Sequence, residues 1–440
     1  MKITLVGLGK IGLPLAVQFA GRNHHVVGAD VNPQVVDSIR NGIPPFPGEA
    51  NLQLRLEQAV RSGSLEATSD TTAAVAAADA VVVVVPLYTD TLGVPDYTTI
   101  DAATDAVGRG LRPGVLVTYE TTLPVGTTRN RIAPRLERAS GLRTGEDFFL
   151  AFSPERVSSG RVFADLARYP KLVGGMDPRS AQRAVDFYTA TLEFDERTDL
   201  RTPNGAWDLG SAEAAELAKL AETTYRDVNI GLANQFALYA DRIGVDFSLV
   251  AEACNSQPFS HIHRPGIAVG GHCIPVYPWL YLNGDSTATI VRAAREANHS
   301  MPERCVELLA DEYGDLAGAT VVVLGACYRG GVKETAFSGV FAVVDALRRR
   351  GAIPLVQDPL FTQAELRALG LQAYQTGRRV DAAVVQADHI EYASLTASDL
   401  PGVKVVFDGR NVLDDSRWVG ITIINLARGR QGPAAGESAP

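Results

Sequence analysis

The chain opens Met1-Lys2-Ile3-Thr4-Leu5-Val6-Gly7-Leu8-Gly9-Lys10-Ile11-Gly12, and this stretch decides the fold of its first part. An apolar strand runs straight into three glycines spaced G-x-G-x-x-G, and residues 13–22 then read as a helix. Gly7 permits a tight turn, Gly9 lets the backbone approach a pyrophosphate, and Gly12 allows the helix to pack closely on the strand. Lys10 and Ile11 complete this cofactor-binding turn, where the helix N-terminus offers N–H groups and a positive dipole end to phosphate. Asp30 ends the next strand, 18 residues after Gly12. A carboxylate there accepts hydrogen bonds from a ribose diol and repels a 2′-phosphate, which favours NAD over NADP.

Outward from this turn, short apolar strands at 3–6, 25–29, 80–85, 115–119 and 148–152 alternate with helical stretches. That alternation predicts a doubly wound parallel sheet. Residues 211–243 contain no proline and one glycine and are rich in Ala, Leu and Glu, so the sequence predicts one long helix. Strand–helix alternation returns with strands at 320–324, 353–357, 382–385 and 403–407. The expected fold is therefore α/β: two Rossmann-like doubly wound parallel-sheet domains joined by a central helical domain with one long helix. The expected boundaries are 1–205, 206–305 and 306–427, with a disordered tail at 428–440 rich in Gly, Ala, Pro and Ser.

At 440 residues the chain is long enough for two or three such domains, and 46% hydrophobic with 21% charged residues is ordinary globular composition. The net charge of −9, with no basic block, argues against nucleic acid as a partner. No apolar run reaches the ~18 residues of a membrane span, and the first residues form a strand pattern where a signal peptide would be polar then apolar. The four cysteines, Cys254, Cys273, Cys305 and Cys327, are widely spaced and read as thiols of a cytoplasmic protein. His261, His263 and His272-Cys273 match no standard zinc spacing, so no metal is expected.

Three further segments carry a resemblance. They are Ser153-Pro154-Glu155-Arg156-Val157, then residues 216–225 (ELAKLAETTY), then Gly270-Gly271-His272-Cys273-Ile274-Pro275. With the N-terminal glycines, and with Asp408-Gly409-Arg410-Asn411-Val412, they resemble the UDP-sugar 6-dehydrogenases, which oxidise a UDP-hexose to its uronic acid. The Pro-Glu-Arg-Val form and the run at 225–229 (YRDVN) are similar to the branch acting on UDP-N-acetylhexosamines. The resemblance extends in order to about residue 425.

It implies four-electron chemistry in which two NAD are reduced per sugar. Cys273 would add to the aldehyde as a thiolate, giving a thiohemiacetal and then a thioester that water hydrolyses. Lys219 would stabilise the oxyanion, with Thr223 one helical turn on, at the position where the family usually has Asn. Glu155 would serve acid/base work or thioester hydrolysis. Thr122 would hold active-site water near the nicotinamide, and Pro86 would border the NAD. Substrate contacts would come from Glu155, Arg156, Val157, Lys219, Arg264, Gly270, Tyr328, Arg329 and Arg410. The partner would be the UDP-sugar, and the assembly a homodimer or higher homo-oligomer through the long helix.

The sequence also departs from the family. Tyr277 replaces an assisting Asp, Pro86-Leu87 replaces Pro-Thr, and Lys333-Glu334-Thr335-Ala336 lacks a usual substrate arginine. UDP-glucose as substrate, a redox-neutral epimerase and a non-catalytic nucleotide-sugar binder stay open at this point.

Overall fold

The computed structural model describes residues 1–90, 93–158 and 160–429; most of the tail expected to be disordered, 430–440, lies outside the described residues. The chain divides into two compact units, Met1–Glu222 with Trp279–Gly284, and Thr223–Pro278 with Asp285–Pro440.

The first unit contains β1 (Lys2–Val6), β2 (His25–Ala29), β3 (Leu65–Thr68), β4 (Ala80–Val83), a short ribbon β5 (Tyr88–Thr89) and β6 (Pro95–Asp96), then β7 (Leu116–Tyr119), β8 (Phe149–Phe152), β9 (Lys171–Gly175) and β10 (Ala206–Asp208). Eight of these form one sheet in the order β10-β9-β8-β7-β4-β1-β2-β3. Alternate residues of each strand feed two different cores: Ala80, Val82 and Leu116 one, Val81, Val83 and Val117 the other. Burial on both faces is why these strands read as unbroken apolar runs. The order from β3 to β8 is the doubly wound one, reversing at β1 and β4, where a ligand crevice forms beyond the strand ends.

Two features depart from the sequence expectation. Strands β3, β9 and β10 were not visible as apolar runs: β3 holds Glu66, β9 starts at Lys171 and β10 ends at Asp208. And the sheet is not wholly parallel, because β9 pairs antiparallel with β8 while β10 runs parallel to β9.

The second unit holds a five-stranded, all-parallel sheet of β11 (Thr320–Leu324), β12 (Ile353–Gln357), β13 (Ala382–Val385), β14 (Val405–Asp408) and β15 (Thr422–Asn425). Its order, β12-β11-β13-β14-β15, again reverses beside the first strand. The long helix is present as Ala212–Arg242, and the division between units falls within it. A second long helix, Thr289–Tyr313, packs in the second unit so closely that a Cβ on Gly231 would stand 3.1 Å from the Ala294 carbonyl oxygen.

Candidate active site

The glycine turn follows β1, and Gly7 N–H donates to the Ala29 carbonyl at 2.8 Å. Gly7 has φ +93°, and a Cβ on Gly12 would stand 1.9 Å from the Gly7 oxygen, so both positions require glycine for the fold itself. Gly9 differs: a Cβ there meets nothing within 4 Å. The space above Gly9 is open to a ligand, and no side chain caps the following helix, Gly12–Gly21. Asp30 is aimed by two backbone donors, Leu8 N–H on Oδ2 at 2.8 Å and Asn32 N–H on Oδ1 at 2.9 Å. Each oxygen keeps a lone pair for a ribose hydroxyl. The residues present therefore fit NAD: the open turn at Gly9 would admit a pyrophosphate and Asp30 would accept from a ribose.

Next to the ends of β7 and β8 lies a buried polar cluster of which sequence reading singled out only Glu155. Lys171 Nζ lies 2.7 Å from Glu120 Oε2 and 2.8 Å from Glu155 Oε2. Tyr188 OH donates to Glu120 Oε1 at 2.7 Å and stands 3.0 Å from Thr118 Oγ1. Burial pushes the Glu120 carboxyl up to about 7, against the pull of Lys171 and with the push of Glu155. Burial also opposes ionisation of Glu155, but Lys171 and the hydrogen bonds outweigh it and hold that carboxyl below its ordinary range. Lys171 is held above its ordinary range by the two carboxylates despite its burial. Beside Glu155, Arg156 is bound to Glu222 at 2.8 Å and donates to the Pro170 carbonyl at 3.3 Å, while Val157 packs on the core.

Lys219 is 7% exposed on the long helix. One turn earlier, buried Glu216 accepts from Gly126 N–H at 2.6 Å and from both Thr128 N–H and Thr128 Oγ1, at 2.8 and 2.7 Å. Glu216 thus ties the Lys219 helix to the loop that follows Thr122, itself buried at the end of β7. Pro86 lies exposed beyond the end of β4.

In the second unit, Thr223 is buried and Cys273 is half-buried. The glycines before Cys273 are imposed by neighbours. A Cβ on Gly270 would stand 2.6 Å from Tyr328 Cβ, and Gly271 has φ +90° over the Tyr328 ring. Gly271 N–H also donates to the Ala336 carbonyl at 2.9 Å. Beside this loop is a cavity of about 210 Å³ lined by Arg264, Gly270, Ile274, Tyr328 and Arg410 among others. Four residues predicted from separate segments, Arg264, Gly270, Tyr328 and Arg410, thus share one cavity. Arg410 also braces it, donating to the Gln386 carbonyl at 2.7 Å and to the Ala268 carbonyl at 3.2 Å. Arg329 instead lies exposed, its guanidinium 5.7 Å from the Tyr328 ring centre.

The cysteine loop has a second brace that no local motif signalled. Arg295 donates to the Pro275 carbonyl at 3.0 Å and pairs with buried Asp227 at 2.6 Å. Asn298 bonds Asp227 Oδ1 at 2.8 Å and Asn234 Nδ2 at 2.9 Å, and Asn234 accepts from Gly266 N–H at 2.9 Å. Elsewhere in this unit Cys327, Asp358 and His389 lie within 4.8 Å of one another. Asp358 there takes the Ala326, Cys327 and Leu360 N–H groups and His389 Nε2, so its lone pairs serve the loop fold.

Comparison with known proteins agrees with this geometry. Residues 1–192, 213–300 and 322–415 match, in order, the NAD binding domain, the central domain and the UDP binding domain of the UDP-glucose/GDP-mannose dehydrogenase family. A UDP-N-acetyl-D-mannosamine dehydrogenase of Pyrococcus horikoshii is 33% identical over 98% of this chain and 100% of its own length. An NDP-N-acetyl-D-galactosaminuronic acid dehydrogenase of Ralstonia solanacearum is 31% identical over 94% and 97%. The solved structure of the UDP-D-ManNAc dehydrogenase from Pyrococcus horikoshii superposes with a TM-score of 0.87 at 31% identity, covering 97% of this chain and 99% of that one. With the glycine turn, the helical middle and the second sheet each falling on its matching domain, the chain belongs to the UDP-glucose/GDP-mannose dehydrogenase family.

Proposed function

We propose that this protein is an NAD-dependent dehydrogenase that oxidises C6 of a UDP-N-acetylhexosamine to the carboxylate. The balance is RCH2OH + 2 NAD⁺ + H2O → RCOO⁻ + 2 NADH + 3 H⁺. The observation that carries the reading is the cavity of Arg264, Gly270, Tyr328 and Arg410 beside the Cys273 loop. It sets cationic and aromatic groups, suited to a nucleoside diphosphate, beside a nucleophile. Whole-length similarity to dehydrogenases named for UDP-N-acetylmannosamine supports the amide-bearing sugar.

The turn at Gly9 and the Asp30 carboxylate would hold NAD, which when bound would supply the hydride acceptor for both oxidations. Cys273 adds to the aldehyde carbon and holds it as a thiohemiacetal, then as the thioester. Lys219 and Thr223 donate to the C6 oxygen as negative charge develops there. Glu155 takes the proton of the attacking water, and Thr122 orients water near the nicotinamide. In this reading Arg264, Tyr328 and Arg410 hold the nucleotide, while Arg156 and Val157 shape the loop that presents Glu155. Tyr277, in place of an acid, supplies a hydrogen bond and no base.

The working organisation is 1–205 for NAD, 206–305 for the helical middle and 306–427 for the UDP-sugar. A homodimer through the long helix is supported by Tyr225, Leu232, Phe236, Tyr239 and Ile243, exposed at spacings of seven, four, three and four residues. A catalytic thiol calls for a reducing compartment, in keeping with a cytoplasmic location, and no helix among the described residues is long and apolar enough to cross a membrane.

The test is NADH formed per sugar consumed across UDP-N-acetylmannosamine, UDP-N-acetylglucosamine, UDP-N-acetylgalactosamine and UDP-glucose. Two NADH per N-acetylhexosamine, lost in Cys273→Ser, is the expected result. Turnover of UDP-glucose alone, or activity retained in Cys273→Ser, would overturn it.

A further inference from the structure

We propose that Lys171 and Glu120 are positioning residues for Glu155: Lys171 fixes its carboxylate as the ionised base, and Glu120 carries the surplus proton of the cluster. The proposal rests on the reading of Glu155 as the base for thioester hydrolysis.

The geometry follows from strand direction. β8 and β9 pair antiparallel through Ala151 with Gly175 and Phe152 with Gly174. Continued by three residues, that register puts Glu155 opposite Lys171. β7 lies parallel on the other side of β8, with Tyr119 beside Phe152, so Glu120 emerges at the same level. Glu155 N–H donates to the Glu120 carbonyl at 3.3 Å, which locks the two segments together.

The groups facing the pair are Lys171 from β9, Tyr188 from the helix Pro178–Thr191, Thr118 from β7 and Ser153 after β8. The Arg156–Glu222 pair stands beyond Glu155. Among the described residues, Lys171 is the cation in direct contact with both carboxylates of the pair, and Tyr188 is a neutral phenol held so by burial. Fully ionised, the cluster would carry one uncompensated negative charge away from water, which is costly. A single bound proton removes it. Each carboxylate accepts from Lys171 and from one further donor, Tyr188 OH for Glu120 and Arg156 N–H for Glu155, but the Glu155 side chain is 10% exposed and that of Glu120 is 0%, so Glu155 is the better-solvated carboxylate. The proton therefore resides on Glu120, from which a hydrogen bond to Glu155 helps hold that group ionised.

The experiment is the pH dependence of kcat with UDP-N-acetylmannosamine and NAD. Lys171→Met should move the acid limb up by at least one pH unit, lowering kcat about tenfold at a pH on that limb, with KM for NAD unchanged and activity recovered at higher pH. Lys171→Arg should restore the wild-type profile. A folded Lys171→Met variant with the wild-type limb would overturn the proposal.

Infrared titration of buried carboxyl groups reads the cluster independently of turnover and of whether Lys171→Met folds. The wild type should show a protonated carboxyl lost near pH 7, absent in Glu120→Gln. That signal persisting in Glu120→Gln would also overturn the proposal. Full turnover in Glu155→Gln would instead overturn the role of Glu155 as base, leaving the infrared result to judge the cluster.

Discussion

Lys171 stands opposite Glu155 across an antiparallel strand pair, with 2.8 Å between the ammonium nitrogen and the carboxylate oxygen. A parallel β9 would send its first residue to the far end of the sheet. The reversal of β9 relative to β8 thus places a cation beside the strand ends where the ligand crevice of a doubly wound sheet forms. Glu155, read from its motif as a catalytic carboxylate, has its charge set by a residue that no motif contains.

The glycine turn predicts two different outcomes for similar changes. Gly12→Ala puts a Cβ 1.9 Å from the Gly7 carbonyl oxygen, a contact between backbones that no side chain can relieve. That variant should fail to fold or should melt well below the wild type in a thermal scan. Gly9→Ala meets open space and has no positive φ, so its stability should stay within about 1 kcal/mol of wild type. Its NAD binding, followed by calorimetry, should nevertheless fall strongly, because the methyl occupies the pyrophosphate's approach. Equal loss of stability in both would contradict the assignment of Gly9 to the cofactor.

Arg295→Met should cost about 3–5 kcal/mol in urea unfolding near neutral pH, the penalty for leaving one member of a buried ion pair alone. Burial already holds Asp227 above its ordinary carboxyl range, and Arg295 pulls it back. Without Arg295 the folded-state value rises further. The folded protein then binds more protons than the unfolded chain, so the variant's stability falls as pH rises through that window. The deficit should shrink on the acid side of the raised value. A deficit independent of pH would point to lost packing alone.

Phe236→Glu places a charge in the exposed apolar row of the long helix and gives up one ring contact, 6.0 Å between centroids, with the core residue Phe247. It should convert a dimer to monomer in light scattering while leaving the helical circular dichroism intact. A wild-type protein that is already monomeric at assay concentration would remove the basis for the proposed interface.

Much of the fold could be read locally. The first strand, its glycines and Asp30 lie within thirty residues, and their spacing is a property of one turn. The long helix was legible because residues 211–243 lack breakers, and the structure gives Ala212–Arg242. Strands β3, β9 and β10 escaped because Glu66, Lys171 and Asp208 interrupt short apolar segments. Glu216 and Arg295 escaped too, since on a helix a charged residue reads first as a solvated face. Gly126 and Pro275, which they hold, lie far from them in sequence.

By itself the sequence determined the cofactor turn, the α/β, α, α/β order, and the cysteine, lysine and carboxylate on which the proposed chemistry rests, because each is encoded by neighbours along the chain. Only the tertiary structure decided which charges meet. Lys171 finds Glu120 across fifty-one residues, and Asp227 meets Arg295 on another helix. Arg264, Tyr328 and Arg410 converge on one cavity. Such meetings depend on strand direction, register and helix crossing, and those are settled by packing the whole core rather than by any local run of residues.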